Sequence, residues 1–246
     1  MIKSKLLPVL FCLLLLGAAG TVRAQVVQAD TAFLQSAKSA AVAVYKQAVG
    51  RQAHLFNGPS YVEYRKPQLQ GHPFFETDKL TEGDVYYDGA WFRQVPIRYD
   101  VITDEVMTDN GGALQKLLPG KLASFILNGH TFVRFERDSL AGGSMQTGYY
   151  DLLFMDTVSV IAKRSKLAQE RVERGQVTGE YEVTDKYYIW KAGTYYQVNS
   201  KGTLLDVFQD KKKQVRKHLQ AKKLRFNKQK EEAIIEAARF YASLQK

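Results

Sequence analysis

Asp88-Gly89 and Asn128-Gly129 each separate two short runs rich in aromatic and branched side chains. Both central positions of the tightest hairpin turn need a positive φ, which glycine adopts freely and Asn or Asp tolerates, so such a dipeptide between apolar runs specifies two antiparallel neighbours. Val85-Tyr86-Tyr87 is thereby paired with Ala90-Trp91-Phe92, and Phe125-Ile126-Leu127 with Thr131-Phe132-Val133. Ile97, Tyr99 and Val101 alternate with Arg98 and Asp100, giving a strand with one apolar face and one wet face. The same patterning predicts strands at 151–154, 158–163, 179–183, 187–190 and 194–198, and hence an antiparallel sheet across 55–205.

The flanks change period. From Asp30 to Val49, Phe33, Leu34, Ala37, Ala40, Ala41, Val44 and Tyr45 recur at steps of three and four, which predicts one amphipathic helix within 25–54 after an Asp30 cap. In 206–246 two stripes appear. Leu204, Phe208, Val215 and Leu219 form the first, with Lys211 on the same line, and Ile234, Ala237, Ala238, Tyr241 and Leu244 the second, after a cap at Asn227. The expected fold is mainly β with α: an antiparallel curved sheet or incomplete barrel, an N-terminal helix, and a basic C-terminal helical hairpin packed on the sheet. Ser139–Gly148 and Arg164–Gly175 read as long connections, the second with the composition of a short exposed helix. No period of 20 to 50 residues repeats, which argues against a propeller or solenoid.

The first 24 residues read as a secretory signal peptide: two lysines in the first five positions, an apolar stretch from Leu6 to Ala19, and Val22-Arg23-Ala24 before the cleavage point. Cleavage there leaves 222 of the 246 residues, enough for one substantial core. The only cysteine, Cys12, leaves with the leader, so the mature chain has no thiol and no disulfide, and its stability comes from burial. No later apolar run reaches the length of a membrane-spanning helix.

The formal charge of +10 is unevenly placed. Ten basic residues and no acid lie between Lys211 and Lys230, and the remainder of the mature chain carries a small negative excess. One basic block on a mildly acidic body indicates one local contact surface rather than general adhesion to polyanions. An exported chain has no nucleic acid to meet, so RNA and DNA are not expected partners.

The runs Leu55-Phe56-Asn57-Gly58 with Tyr61, Gly71-His72-Pro73-Phe74-Phe75, Gly83-Asp84-Val85-Tyr86-Tyr87-Asp88-Gly89 and Tyr99-Asp100, followed by the basic helix and Leu224-Arg225-Phe226, resemble a set of uncharacterised exported β-rich proteins common in Bacteroidota. The resemblance spans nearly all of the mature chain. It implies this architecture and an envelope location, periplasmic or associated with the outer membrane, and it implies no activity.

Two features carry the candidate chemistry. Six adjacent aromatic doublets occur: Phe74-Phe75, Tyr86-Tyr87, Trp91-Phe92, Tyr149-Tyr150, Tyr187-Tyr188 and Tyr195-Tyr196. A doublet in a strand sends one ring to each side of the sheet. One side is then core and the other is covered by the terminal helices, or else Tyr86, Trp91, Tyr150, Tyr187 and Tyr195 form an exposed platform for a glycan, a lipid or a partner protein. The second feature is the basic segment. Lys211, Lys212, Lys213, Arg216, Lys217, Lys222 and Lys223 are either a solvated helix face or the contact for acidic envelope material such as lipid phosphate, anionic polysaccharide or an acidic protein.

Catalytic and metal signatures are weak. The four histidines, at 54, 72, 130 and 218, lack metal-ligand spacing, although His54 and His72 are near enough in sequence to meet, and a histidine hydrogen-bonded in a turn is the ordinary outcome. Gly142-Gly143-Ser144 lacks the second glycine of a nucleophile elbow. Asp100, Asp104 and Glu105 supply carboxylates near a strand end, as a glycosidase requires, without a separation that sequence defines. The sequence therefore points to a non-enzymatic, cofactor-free exported protein that binds another envelope component, with a carrier of an apolar ligand in a β cavity, and then a glycan hydrolase, as alternatives.

Overall fold

The computed structural model describes residues 28–49, 54–137 and 145–245. The predicted leader, the cleavage site, Cys12 and Gly142-Gly143-Ser144 lie outside the described residues. Two compact units divide at Gly50. The first holds one helix, α1 (Gln28–Val49), whose side chains from Phe33 to Val44 are exposed. It begins two residues before the expected Asp30 cap.

The second unit is mainly β, as the patterning predicts. Among its described residues are β1 (Leu69–Gln70), β2 (Thr81–Tyr87), β3 (Ala90–Asp100), β4 (Glu105–Asp109), β5 (Leu114–Lys116), β6 (Leu122–Leu127) and β7 (His130–Phe135). After these come β8 (Gly148–Met155), β9 (Ser159–Lys163), β10 (Lys166–Glu173), β11 (Gln176–Val183), β12 (Lys186–Lys191) and β13 (Thr194–Val198). The chain ends in α2 (Lys201–Val207), α3 (Lys212–Ala221) and α4 (Lys230–Ser243).

Ten strands form one antiparallel sheet in the order β13-β12-β9-β8-β7-β6-β2-β3-β4-β5, with two free edges, so the sheet is open and not a closed barrel. The two diagnostic turns adopt the predicted geometry, with φ of 50 and 79° at Asp88-Gly89 and 51 and 81° at Asn128-Gly129. Arg174-Gly175 and Ala192-Gly193 use the same device. The segment read as a long connection or short exposed helix, Arg164 to Gly175, is instead strand β10 and its turn. It pairs along its whole length with β11, and β1 adds to the other side of β11 in parallel, giving a separate three-stranded sheet. The cross-strand partners Val172 and Val177, next to the Arg174-Gly175 turn, outweigh the charged composition that suggested a helix.

Cross-strand register places Val85, Phe125, Phe132, Asp151, Ala162, Tyr187 and Val198 in one row on one face, across β2, β6, β7, β8, β9, β12 and β13. Two cores share that face. At the β2–β8 end, Tyr99, Phe125, Phe132 and Tyr149 are almost wholly buried with ring centroids 4.6–6.1 Å apart, closed over by Leu55, Phe75, Val101 and Leu117. At the other end, Ala162, Tyr187, Ile189 and Val198 receive Leu204, Phe208, Val215, Leu219, Ile234 and Ala238 from the helices. The doublets split as expected: Tyr149 and Tyr187 join these cores, while Tyr150 and Tyr188 pack with Ile161 and Met145 on the opposite face.

The C-terminal helices differ in detail from a simple hairpin. The capping box of Ser200 and Thr203 starts α2 at Lys201, before the expected boundary at 206. The helix is interrupted at Phe208, with φ −100° and ψ 38°, but its ring stays in the predicted stripe, fully buried and stacked 4.6 Å from Tyr241. The last helix is preceded by Gln229, not Asn227.

Candidate functional site

The helix α3 is amphipathic, with Val215 and Leu219 fully inside and Lys213, Arg216, Lys217 and Gln220 turned to solvent. Helical spacing puts Lys213 and Lys217 on one line, opposite Val215. His218 fastens α3 to α4, its ring stacked on Phe240 at 4.0 Å and its Nε2 2.8 Å from Glu236.

Most cations on the ten-stranded sheet and its turns are paired, although Lys186 on β12 is exposed without a carboxylate partner among the described residues. Arg93, Lys116, Lys121, Arg134, Lys163 and Lys191 each lie within 3.1 Å of a carboxylate. On the C-terminal segment the pattern reverses. Of the seven basic residues singled out by sequence, Lys212 pairs with Asp206 at 2.7 Å and Lys222 stands 3.7 Å from Glu236, whereas Lys213, Arg216, Lys217 and Lys223 are exposed without a carboxylate partner among the described residues. Lys211 is half-buried, and with Lys212, Lys213 and Arg216 it lines a groove of about 570 Å³. Arg225 and Lys228, beyond α3, extend the exposed basic surface.

The five aromatic residues grouped by sequence do not come together. Tyr86 and Trp91 are neighbours at 5.3 Å on β2 and β3, with Trp91 exposed and the Arg93 guanidinium 4.6 Å from its ring. Tyr150 is buried, and Tyr195 packs beside it against Phe135. Tyr187 lies on the other face, under the helices, its hydroxyl donating to Glu231. Strand alternation creates the doublets, and packing then assigns most of these rings to cores.

The candidate carboxylates are likewise committed to structure. Asp100 is fully buried and accepts from the Tyr61 and Tyr64 hydroxyls and the Ile102 amide. Asp104 holds Lys163 at 2.6 Å, and Glu105 holds Lys116 at 2.7 Å. His72 accepts from the Phe74 amide within a turn. Among the described residues no three His, Cys, Asp or Glu side chains are placed to hold a metal ion, and no helix is long and apolar enough to cross a membrane.

The structure also shows a charged cavity that sequence reading missed. Asp151, in the face-wide row, is fully buried, and its Oδ2 accepts from Arg164 Nε and Nη2 and lies 2.7 Å from His130 Nδ1. Arg164 Nη1 also donates to Asp185 and Glu231. Burial disfavours the charge on Glu231, but the Arg164 guanidinium outweighs it and lowers the pKa of the carboxyl. His130, Arg164, Asp185 and Glu231 line a cavity of about 370 Å³. They come from β7, the β9–β10 connection, the β11–β12 turn and α4, and no spacing in the sequence signals that they converge.

Comparison of the chain with protein-family models, with curated proteins and with solved structures gave no match.

Proposed function

We propose that the protein is an exported, non-enzymatic envelope protein, periplasmic or associated with the outer membrane, that binds an anionic component of the envelope through the solvent face of α3 and the turn after it. The observation that carries the reading is the contrast in charge pairing. Most cations on the sheet are held by carboxylates, while Lys213, Arg216, Lys217 and Lys223 are held by none among the described residues. A cluster of unpaired cations on one firmly packed element raises the local potential where a polyanion would lie. Those positions bear no large apolar side chains, which suits contact with phosphate or acidic sugar better than insertion among acyl chains.

The alternatives have less support. Buried rings occupy the face where an apolar ligand would sit, and Asp100, Asp104 and Glu105 are each bound to another side chain. Replacement of Lys213, Arg216, Lys217 and Lys223 by glutamine tests the proposal by co-sedimentation with isolated envelopes, with vesicles of anionic phosphatidylglycerol and with neutral phosphatidylcholine vesicles. The wild-type chain sediments with envelopes at low salt and is released as salt rises, and the variant stays in the supernatant. Equal retention of both chains would refute the proposal.

A further inference from the structure

The cavity beside Arg164 has an unbalanced set of polar groups. Glu76, Asp185 and Glu231 line it and Asp151 lies behind, against the two basic side chains Arg164 and Lys166. Setting His130 aside, these six side chains sum to two negative charges.

The cations are largely engaged, Arg164 with four of its five N–H donors and Lys166 with two of its three. Arg164 directs Nε and Nη2 to Asp151 and Nη1 to Asp185 and Glu231, at 2.6–2.9 Å. Lys166 Nζ donates to the carbonyls of His72 and Phe74, at 3.0 and 2.6 Å. Asp185 is filled by Arg164 and the Ser165 amide. What remains open is acceptor capacity. Among the described residues, Glu231 uses Oε2 for Arg164 and Tyr187 and accepts no hydrogen bond at Oε1, and Glu76 uses Oε2 for Asn128 while His130 Nε2 stands 3.5 Å from its Oε1. Besides Ser165, the rest of the wall is apolar: Phe75, Val101 and the exposed Val183.

We propose that this cavity binds a small organic cation, its ammonium group held by Glu231 and Glu76 and its apolar body lying against Phe75, Val101 and Val183. An anion of the same shape would meet the open carboxylate oxygens of Glu231 and Glu76 in a wall where carboxylates outnumber the cations Arg164 and Lys166. This site is separate from the basic face of α3, and either stands without the other.

Titration calorimetry with n-hexylammonium chloride and with sodium n-hexanoate, at one ionic strength, tests it. Saturable one-to-one binding of hexylammonium, none of hexanoate, and a loss of about tenfold or more in Glu76→Gln support the site. Glu76 is half-exposed and outside the Arg164 ion pairs, so this variant keeps the fold; Glu231→Gln should weaken binding as well. Glutamine at Lys213, Arg216 and Lys217 should leave hexylammonium binding unchanged. Absence of saturable binding, equal binding of hexanoate, or full affinity in Glu76→Gln would overturn the proposal.

Discussion

Asp151 and Arg164 meet at 2.6 Å where the two cores of the sheet adjoin, with the aspartate fully buried and the arginine nearly so. Asp151 interrupts a row of otherwise uncharged residues, and Arg164 joins it to Asp185 and, through Glu231, to α4. Removing Arg164 leaves the buried Asp151 without its permanently charged partner, which costs about 3–5 kcal/mol. Arg164→Ala should lower stability by that amount in urea unfolding, and adding Asp151→Leu should restore part of the loss. A change below about 1 kcal/mol for Arg164→Ala would show that the network does not support the fold.

Acid should loosen the helices from the sheet. Glu231 is held below the ordinary carboxylate value because Arg164 more than offsets its burial, and Glu236 is held below it first by His218. The unfolded chain therefore binds protons at these sites at a higher pH than the folded chain. Their stabilisation is complete above the ordinary value of 4.5 and is lost as pH falls through the lowered folded-state values. Melting temperature followed against pH should show Glu231→Gln well below wild type at pH 7, with the gap closing below about pH 4. A constant gap would contradict this assignment.

Much of this architecture was legible in short-range pattern. Asp88-Gly89 and Asn128-Gly129 announced their hairpins because positive φ at two successive positions has few solutions, and the doublets announced a two-faced sheet. Strand β10 was not legible: Lys-Leu-Ala-Gln-Glu-Arg-Val-Glu has charges suited to an exposed helix, and only its pairing with β11 makes it a strand. The basic face of α3 could be read from a local charge run, but which cations stay free depends on Asp206 and Glu236, which sequence does not place. The Arg164 cavity was invisible for the same reason, since Glu76 and Glu231 are brought together by the fold alone.

The three-stranded sheet depends on Gly179. Its φ is +154°, and a Cβ there would lie 1.9 Å from the carbonyl oxygen of Gln169 on the paired strand. Gly179→Ala should displace β10 from β11 at a cost of about 1–3 kcal/mol. Amide hydrogen exchange should then rise across 166–183 while β6–β9 keep their protection. Unchanged exchange across 166–183 would show that the ribbon absorbs the methyl group.

Neutralising the basic face should not harm the fold. Lys213, Arg216 and Lys217 are exposed and make no ion pair among the described residues, so glutamine at all three should shift stability by less than about 0.5 kcal/mol, whereas Val215→Ala beneath them removes a fully buried side chain and should cost about 1–3 kcal/mol. Urea titrations of both variants make the comparison, and a large loss in the glutamine variant would assign these cations to structure.

The salt dependence of binding to phosphatidylglycerol vesicles tests the anion-docking proposal most directly. If Lys213, Arg216, Lys217 and Lys223 displace counterions, the logarithm of the binding constant should fall steeply and linearly with the logarithm of salt concentration, and the slope should flatten markedly in the four-glutamine variant. A wild-type slope near zero, or the same slope in the variant, would contradict it.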